Sequence, residues 1–220
     1  MPPSLLPIFV KLVARRCLVV GAGAVAAAKI SALLESGAWV TAVAPRASDH
    51  VQSLSRSGAI VWRARKFAPA DLDGVALAIA ATSDAAVNHD VFLESRRRGI
   101  LCNSVDDPPN CDFFFSAVVR RGDLQIAVST AGESPAVAQR FKEEIDELLD
   151  ECIGDWLSLV GELRRKIIAA QPPSKERNRL LRLLAYSEIC ESDSCAAHGL
   201  STPSSLHHLH LPGAPQGAGD

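Results

Sequence analysis

The sequence predicts an α/β fold in which a parallel-sheet domain is followed by a strand hairpin and then a helical region. Three observations carry this expectation. Short β-rich runs alternate with helical stretches over the first 105 residues, a glycine-containing turn joins the first strand to the first helix, and beyond residue 112 the alternation gives way to a hairpin and amphipathic helices. Strands that alternate with helices imply a parallel sheet covered on both faces. A chain of 220 residues buries enough apolar surface for such a domain plus a smaller appendage without a disulfide or metal staple.

The expected strands span residues 17–20, 39–44, 60–63, 75–80 and 100–103, each short, apolar and bounded by turn residues or charges. Between them, residues 25–35 and 87–98 carry apolar side chains at helical spacing. Residues 113–120 and 124–129 are extended runs separated by Arg121, Gly122 and Asp123, which reads as a hairpin. Ser134 then caps a helix with Pro135 at its first position and Val137, Phe141, Ile145, Leu148 and Leu149 on one face. Further helices are expected over 155–170 and 174–189, broken at Gly154 and at Pro172 and Pro173. The expected organisation is therefore a nucleotide domain over 1–112, a dimerisation region over 113–149, a helical domain over 150–190 and a disordered tail over 191–220. A strand pair and amphipathic helices outside a complete α/β core need a surface to bury their apolar faces, and a second copy of the chain is the simplest one, so a homodimer is expected.

Composition narrows the function classes. A net charge of −2 and the lack of a basic stripe with interleaved aromatics argue against nucleic acid as a partner. Lys11, Arg15 and Arg16 interrupt the apolar N-terminal run before it reaches the length of a signal peptide or membrane span. No membrane partner and a cytoplasmic location are expected, in keeping with cysteines at 17, 102, 111, 152, 190 and 195 that form no Cys-x-x-Cys pair.

In the string CLVVGAGAVAAAK, Gly21, Gly23 and Ala26 have the G-x-G-x-x-G/A spacing directly after a strand and before a helix. The first glycine permits the tight turn, the second lets backbone approach a pyrophosphate, and the small third residue keeps helix and sheet close, which makes the domain Rossmann-type. The helix N-terminus offers unpaired N–H groups to the phosphates. No Asp or Glu stands at the end of the second strand, where Val43, Ala44, Pro45 and Arg46 are found. Arg46 is open to two readings, a contact with the ribose or a 2′-phosphate and a surface arginine after a turn.

The fifth strand runs into CNSVDDPPNCDFFFSA, which puts Asn103, Asp106, Asp107 and Asp112 beyond the carboxyl end of a parallel strand, where doubly wound folds place ligands. Adjacent carboxylates suit proton abstraction, whereas Pro108 and Pro109 equally suit an Asp-Pro turn. A second polar cluster, STAGESPA, sets Ser129, Thr130, Gly132 and Ser134 ahead of a helix, leaving the hydroxyls of Ser129 and Thr130 for a carboxylate-rich substrate.

In their order, LPIFVKL, VVGAGAVAAAK, AIAATSDAAVN and CNSVDDPPNCDFFFSAVVRRGDLQIAVSTAGESPAVAQR give a chain that resembles the precorrin-2 dehydrogenase family, including the sirohaem-synthase type that also acts as sirohydrochlorin ferrochelatase. The resemblance covers about residues 6–165. It implies NAD-dependent oxidation of precorrin-2 to sirohydrochlorin, on the route to sirohaem or a corrinoid, by a homodimer whose active site lies between the nucleotide domain and the dimerisation region. It places the catalytic carboxylate on Asp106. The cofactor positions it implies are Gly21, Gly23, Ala24, Val25, Pro45, Arg46, Thr82 and Asn103, and the substrate positions are Asp107, Ser129, Thr130, Gly132 and Ser134. In bifunctional members Fe²⁺ or Co²⁺ would be a second substrate, with no resident metal site. The chain departs from the family pattern at Ala22, Ala28, Ser116, Thr130 and Ala131, the last replacing a glycine. Two rival readings are an NADP-dependent reductase of another small molecule and a nucleotide-sensing regulatory module. In the tail, Cys190, Cys195, His198, His207, His208 and His210 suggest either a metal-capturing segment or a plain polar extension.

Overall fold

The computed structural model describes residues 5–186. The expected end of the last helix at 189 and the cysteines and histidines of the tail lie outside the described residues. The chain divides after Phe115 into two compact units, where the sequence had suggested a boundary at 112.

The first unit is a five-stranded parallel sheet in the order β3-β2-β1-β4-β5, built from β1 (Arg16–Val20), β2 (Trp39–Val43), β3 (Ile60–Arg63), β4 (Leu77–Ala80) and β5 (Leu101–Ser104). Helices α1 (Ala24–Glu35), α2 (Asp49–Arg56) and α3 (Ala85–Arg97) cover it. Side chains alternate across a strand, and β1 shows the result. Cys17 and Val19 join the core under α1 and α2 with Ala26, Ile30, Val51 and Ile79, whereas Leu18 and Val20 join the opposite core with Ala78, Val91, Phe92 and Cys102. This is the Rossmann-type architecture expected from the sequence.

Helix α2 was not expected. It is eight residues long, buries Val51 alone, and draws its definition from Ser48, whose side chain accepts the Val51 N–H. Its string DHVQSLSR has only Val51 and Leu54, three apart, as apolar residues packed on the core, too short a run to stand out in the sequence. The expected strands at 75–80 and 100–103 are trimmed or shifted by one or two residues.

The second unit pairs β6 (Ala117–Arg121) with β7 (Leu124–Val128) as an antiparallel hairpin, with Arg121 opposite Leu124. The turn is thus Gly122-Asp123, with Gly122 at φ 56°, rather than the three residues expected. Residues 113–116 precede the strand instead of forming part of it. Helices α4 (Pro135–Leu148), α5 (Ile153–Ala170) and α6 (Lys175–Ala185) complete the unit. Ser134 caps α4 and Pro135 opens it, as expected. Gly154 does not break a helix. It lies in the first turn of α5, and a Cβ there would stand 3.0 Å from the backbone of Arg121 and Gly122, so the hairpin and α5 meet through two glycines. Arg121 adds an ion pair of 2.8 Å with Asp146. None of the described helices is long and apolar enough to cross a membrane.

Candidate active site

In the first unit the loops that follow β1, β2, β4 and β5 leave the sheet at its carboxyl end, and all but three of the sequence-predicted cofactor and catalytic positions lie on them, Ala24 and Val25 being in α1 and Asn103 in β5. Gly23 and Ala24 open α1, with Val25 next. Gly21 N–H bonds to the Val43 carbonyl at 2.9 Å, and the Ala22 carbonyl accepts Ser48 N–H at 2.9 Å, so the loop is tied to the end of β2. Gly21 has φ 117°, and a Cβ on it would meet the Ala81 oxygen at 2.3 Å. Only glycine fits that position. Over Gly23, by contrast, a Cβ would find nothing within 4 Å, which leaves a cradle with open space above its backbone.

The helix behind the cradle is unusual within this unit. Ser48 caps α2 and Asp84 caps α3, but α1 has no side-chain cap and no acid in its first turn. Its first intrahelical donor is Ala27, bonded to the Gly23 carbonyl. The N–H groups of Ala24 and Val25, both exposed, are therefore left for an anion, in the field of the helix dipole. Glycines where backbone must approach, uncapped N–H groups and no competing carboxylate fit a dinucleotide pyrophosphate. Pro45 and Arg46 are exposed at the end of β2, and Arg46 makes no ion pair among the described residues. Thr82 is fixed by Asn88, whose Oδ1 accepts both the Thr82 N–H at 3.1 Å and its hydroxyl at 2.7 Å, and whose amide donates to the Thr82 carbonyl at 3.0 Å.

At the end of β5 and beyond it the four polar residues separate into one free group and three braces. Asp107 N–H bonds to the Ser104 carbonyl at 3.2 Å, closing a turn with Asp106 at its third position and φ 61°. A left-handed residue is what a type II turn requires there, and aspartate tolerates it better than most. Asp107 accepts from the Asn110 amide at 2.5 Å, and Asp112 accepts the Cys102 N–H at 3.0 Å. Asn103, buried, donates its amide to the Phe113 carbonyl at 2.8 Å and to the Cys111 sulfur at 3.3 Å. Its N–H donors are spent on the returning chain, so Asn103 shapes the loop, and only its carbonyl oxygen remains for a cofactor. Asp106 is exposed, and its carboxylate makes no hydrogen bond among the described residues. The segment thus forms the expected turn, with Asp106 exposed at its third position and Asp107 and Asp112 hydrogen-bonded within the loop.

Two features here went unnoticed in the sequence. Asn88 is a buried polar residue on α3, and the signal was its place one turn into a helix that follows the Thr82 loop. Lys29 lies on α1 with its ammonium 3.9 Å from the Phe115 ring centroid. Burial pushes its pKa below the ordinary lysine value, and the charge of Asp106 acts the other way. Burial also pushes the Cys102 thiol up to about 12 and raises Cys111, so neither supplies a thiolate nucleophile at neutral pH.

In the second unit, the loop from Ser129 to Ser134 is a self-contained structure. Thr130 Oγ1 donates to the Ser134 carbonyl at 3.0 Å and accepts the Ser134 N–H at 3.2 Å, and Ser129 Oγ accepts the Ala131 N–H at 3.2 Å. The Thr130 hydroxyl was expected to be available to substrate, but its hydrogen is committed within the loop. Ala131 and Gly132 both have positive φ, 53° and 90°.

Residues 8–117 match the family described as putative NAD(P)-binding. Residues 121–148 match the family described as the central part of a sirohaem biosynthesis protein. The chain belongs to this sirohaem-biosynthesis family. Siroheme synthase of Photorhabdus laumondii is 34% identical over 224 residues, covering 98% of this chain and 47% of that protein. Siroheme synthase 1 of Cronobacter sakazakii is 43% identical over 159 residues, covering 72% of this chain and 34% of that one. The chain thus spans less than half of the length of these curated relatives. A solved structure, SirC, precorrin-2 dehydrogenase, superposes with a TM-score of 0.69 at 29% identity, covering 82% of this chain and 88% of that one.

Proposed function

We propose that the chain is an NAD-dependent precorrin-2 dehydrogenase, a cytoplasmic enzyme that acts as a homodimer. The observation that carries this reading is the unencumbered carboxylate of Asp106, on the same sheet end as an uncapped, glycine-lined helix N-terminus. The backbone N–H groups of Ala24 and Val25 hold the pyrophosphate, with Gly23 giving it room. Pro45 and Arg46 border the adenosine ribose, and the Thr82 loop, stiffened by Asn88, borders the nicotinamide half. NAD, once bound, supplies a two-electron acceptor for a hydride from the macrocycle. Asp106 takes the proton that must leave with the hydride, so precorrin-2 becomes sirohydrochlorin with one hydride and one proton lost. A base needs free lone pairs, and the turn that spends Asp107 and Asp112 on structure leaves Asp106 with its own. Metal insertion calls on the same carboxylate, as acceptor of pyrrole protons, with Fe²⁺ or Co²⁺ as substrate.

The test is spectral. Purified protein with precorrin-2 and NAD is expected to give the sirohydrochlorin spectrum, and Asp106→Asn, which keeps the shape and removes the base, is expected to slow turnover by about 10²–10⁴-fold while binding NAD as the native protein does. A native chain that leaves precorrin-2 unoxidised refutes the dehydrogenase reading, and full activity in the variant refutes only the role of Asp106. Sirohydrochlorin with Fe²⁺ or Co²⁺ in the same cuvette tests insertion.

A further inference from the structure

The strand order β3-β2-β1-β4-β5 reverses direction between β1 and β4, and a doubly wound sheet takes its ligand in the crevice outside the carboxyl ends at that point. The loops after these two strands form the lips of the crevice. They touch, since a Cβ on Gly21 would stand 2.3 Å from the Ala81 oxygen. On the β4 lip nearly every donor is spent. Ala81 N–H goes to the Val20 carbonyl at 2.8 Å, and Thr82 N–H to Asn88 Oδ1 at 3.1 Å. The Thr82 hydroxyl hydrogen lies between Asn88 Oδ1 at 2.7 Å and the Asp84 carbonyl at 3.0 Å, and the hydroxyl oxygen accepts the Asp84 N–H at 3.1 Å. The Asn88 amide closes the ring on the Thr82 carbonyl at 3.0 Å. Ser83 differs. It is exposed, and neither its N–H nor its hydroxyl has a hydrogen-bond partner among the described residues.

Thr82 therefore has no donor left for a cofactor, although the resemblance puts it among the cofactor positions. Its clamp to the buried Asn88, with the Asp84 N–H and carbonyl drawn in, fixes the backbone on both sides of Ser83. That leaves the Ser83 N–H and O–H as the free donors of the lip. With the pyrophosphate on α1 and the adenosine ribose on the β2 side, the other half of the dinucleotide crosses to the β4 side. A ribose diol both donates and accepts, as a serine hydroxyl does, and a fixed N–H adds a second donor. We propose that Ser83 binds the nicotinamide-side ribose, with Thr82 and Asn88 as positioning residues that act through it. This rests on the reading of the α1 cradle as a dinucleotide site.

Binding alone tests the assignment, because ADP-ribose carries that second ribose and ADP does not. In calorimetric titrations of the full-length chain, Ser83→Ala is expected to weaken NAD and ADP-ribose alike, by about two- to tenfold for one neutral hydrogen bond. ADP should bind as it does to the native chain, and the melting midpoint of the ligand-free protein should not move. Thr82→Val, which removes the hydroxyl at nearly constant shape, is expected to weaken ADP-ribose in the native background and to have little further effect in Ser83→Ala. Thr82→Ser, which keeps the clamp, should bind as the native chain does. Additive losses in the double variant would mean that Thr82 touches the ligand itself, and they overturn the positioning role. Unchanged ADP-ribose affinity in Ser83→Ala leaves Ser83 outside the site, an equal loss for ADP puts it on the diphosphate, and a loss confined to NAD puts it on the carboxamide. Each of these overturns the ribose assignment. A native chain that binds none of the three ligands refutes the dinucleotide site and the proposal with it, whereas native binding of all three with an unaffected Ser83→Ala refutes the role of Ser83 alone.

Discussion

At Gly21 a hydrogen occupies the place where a methyl carbon would stand 2.3 Å from the Ala81 oxygen, and at Gly23 the same substitution meets nothing within 4 Å. The two glycines of one motif thus have different surroundings, the first closed by the β4 loop and the second open. Gly21→Ala forces either the β1 turn or the β4 loop to move against a left-handed φ, and is expected to lower stability by about 2–4 kcal/mol. Gly23→Ala is expected to keep stability within about 1 kcal/mol and to weaken NAD binding at least tenfold, because its methyl enters the space over the backbone. Urea unfolding and an NAD titration on the two variants separate these roles; equal stability losses would contradict them. The sequence marked both glycines by spacing, but spacing cannot say which one has a neighbour above it. The same limit held for Asp106 and Asp107. Adjacent acids before two prolines suit catalysis and turn formation alike, and spacing could not foresee that Asp107 would accept from Asn110 while Asp106 stays exposed and unbonded among the described residues. Lys29 escaped notice because its partners lie far from it in sequence.

At the scale of elements, the parallel strands and α1 were readable because buried strands leave continuous apolar runs and α1 follows a glycine turn. Helix α2 was not, since it buries one residue, and the place of Gly154 inside α5 could not be foreseen, because a close approach between a hairpin turn and a helix is a tertiary fact. Asp71 is a similar case. It lies in the short 3₁₀ turn Pro69–Leu72, where its buried carboxylate accepts from Arg65 at 2.6 and 2.7 Å, from Arg63 at 2.5 Å and from the Ala68 N–H at 3.0 Å. It fastens that turn to the end of β3. The Arg65 hydrogen bonds, with those from Ala68 and Arg63, hold its pKa at about 2 against an ordinary value of 3.8. A depressed carboxylate stabilises the fold above its unfolded pKa, and that contribution is lost as pH falls through the folded one. Both arginines are nearly half exposed, so the contribution is about 1–2 kcal/mol. Asp71→Asn is therefore expected to be less stable than the native chain at pH 6, with the gap closing between about pH 4 and pH 2. Chemical denaturation across that range measures it, and a gap that stays constant down to pH 2 would exclude the linkage.

For the whole molecule, a bound nucleotide and the folding equilibrium are linked, so cofactor choice can be read from stability. A ligand at a hundredfold excess over its Kd adds about 2.7 kcal/mol, several degrees of melting midpoint for a domain of this size. Enzymes that reject NADP commonly place a carboxylate at the end of the second strand, where it binds the ribose hydroxyls and repels a 2′-phosphate. Here that end is Val43, Ala44, Pro45 and Arg46, with Arg46 exposed. Without the repulsive element, discrimination against NADP should be shallow. Both dinucleotides are expected to raise the melting midpoint, with affinities within about tenfold, or 1.4 kcal/mol, of each other. Arg46→Ala should reduce the shift with NADP and leave the shift with NAD unchanged. An NAD shift with no NADP shift would mean that a repelling group other than the missing acid guards the ribose. A loss of both shifts in Arg46→Ala would place the arginine on the shared diphosphate rather than beside the ribose. If neither dinucleotide moves the midpoint of the native chain, the glycine-lined end of α1 is not a nucleotide site.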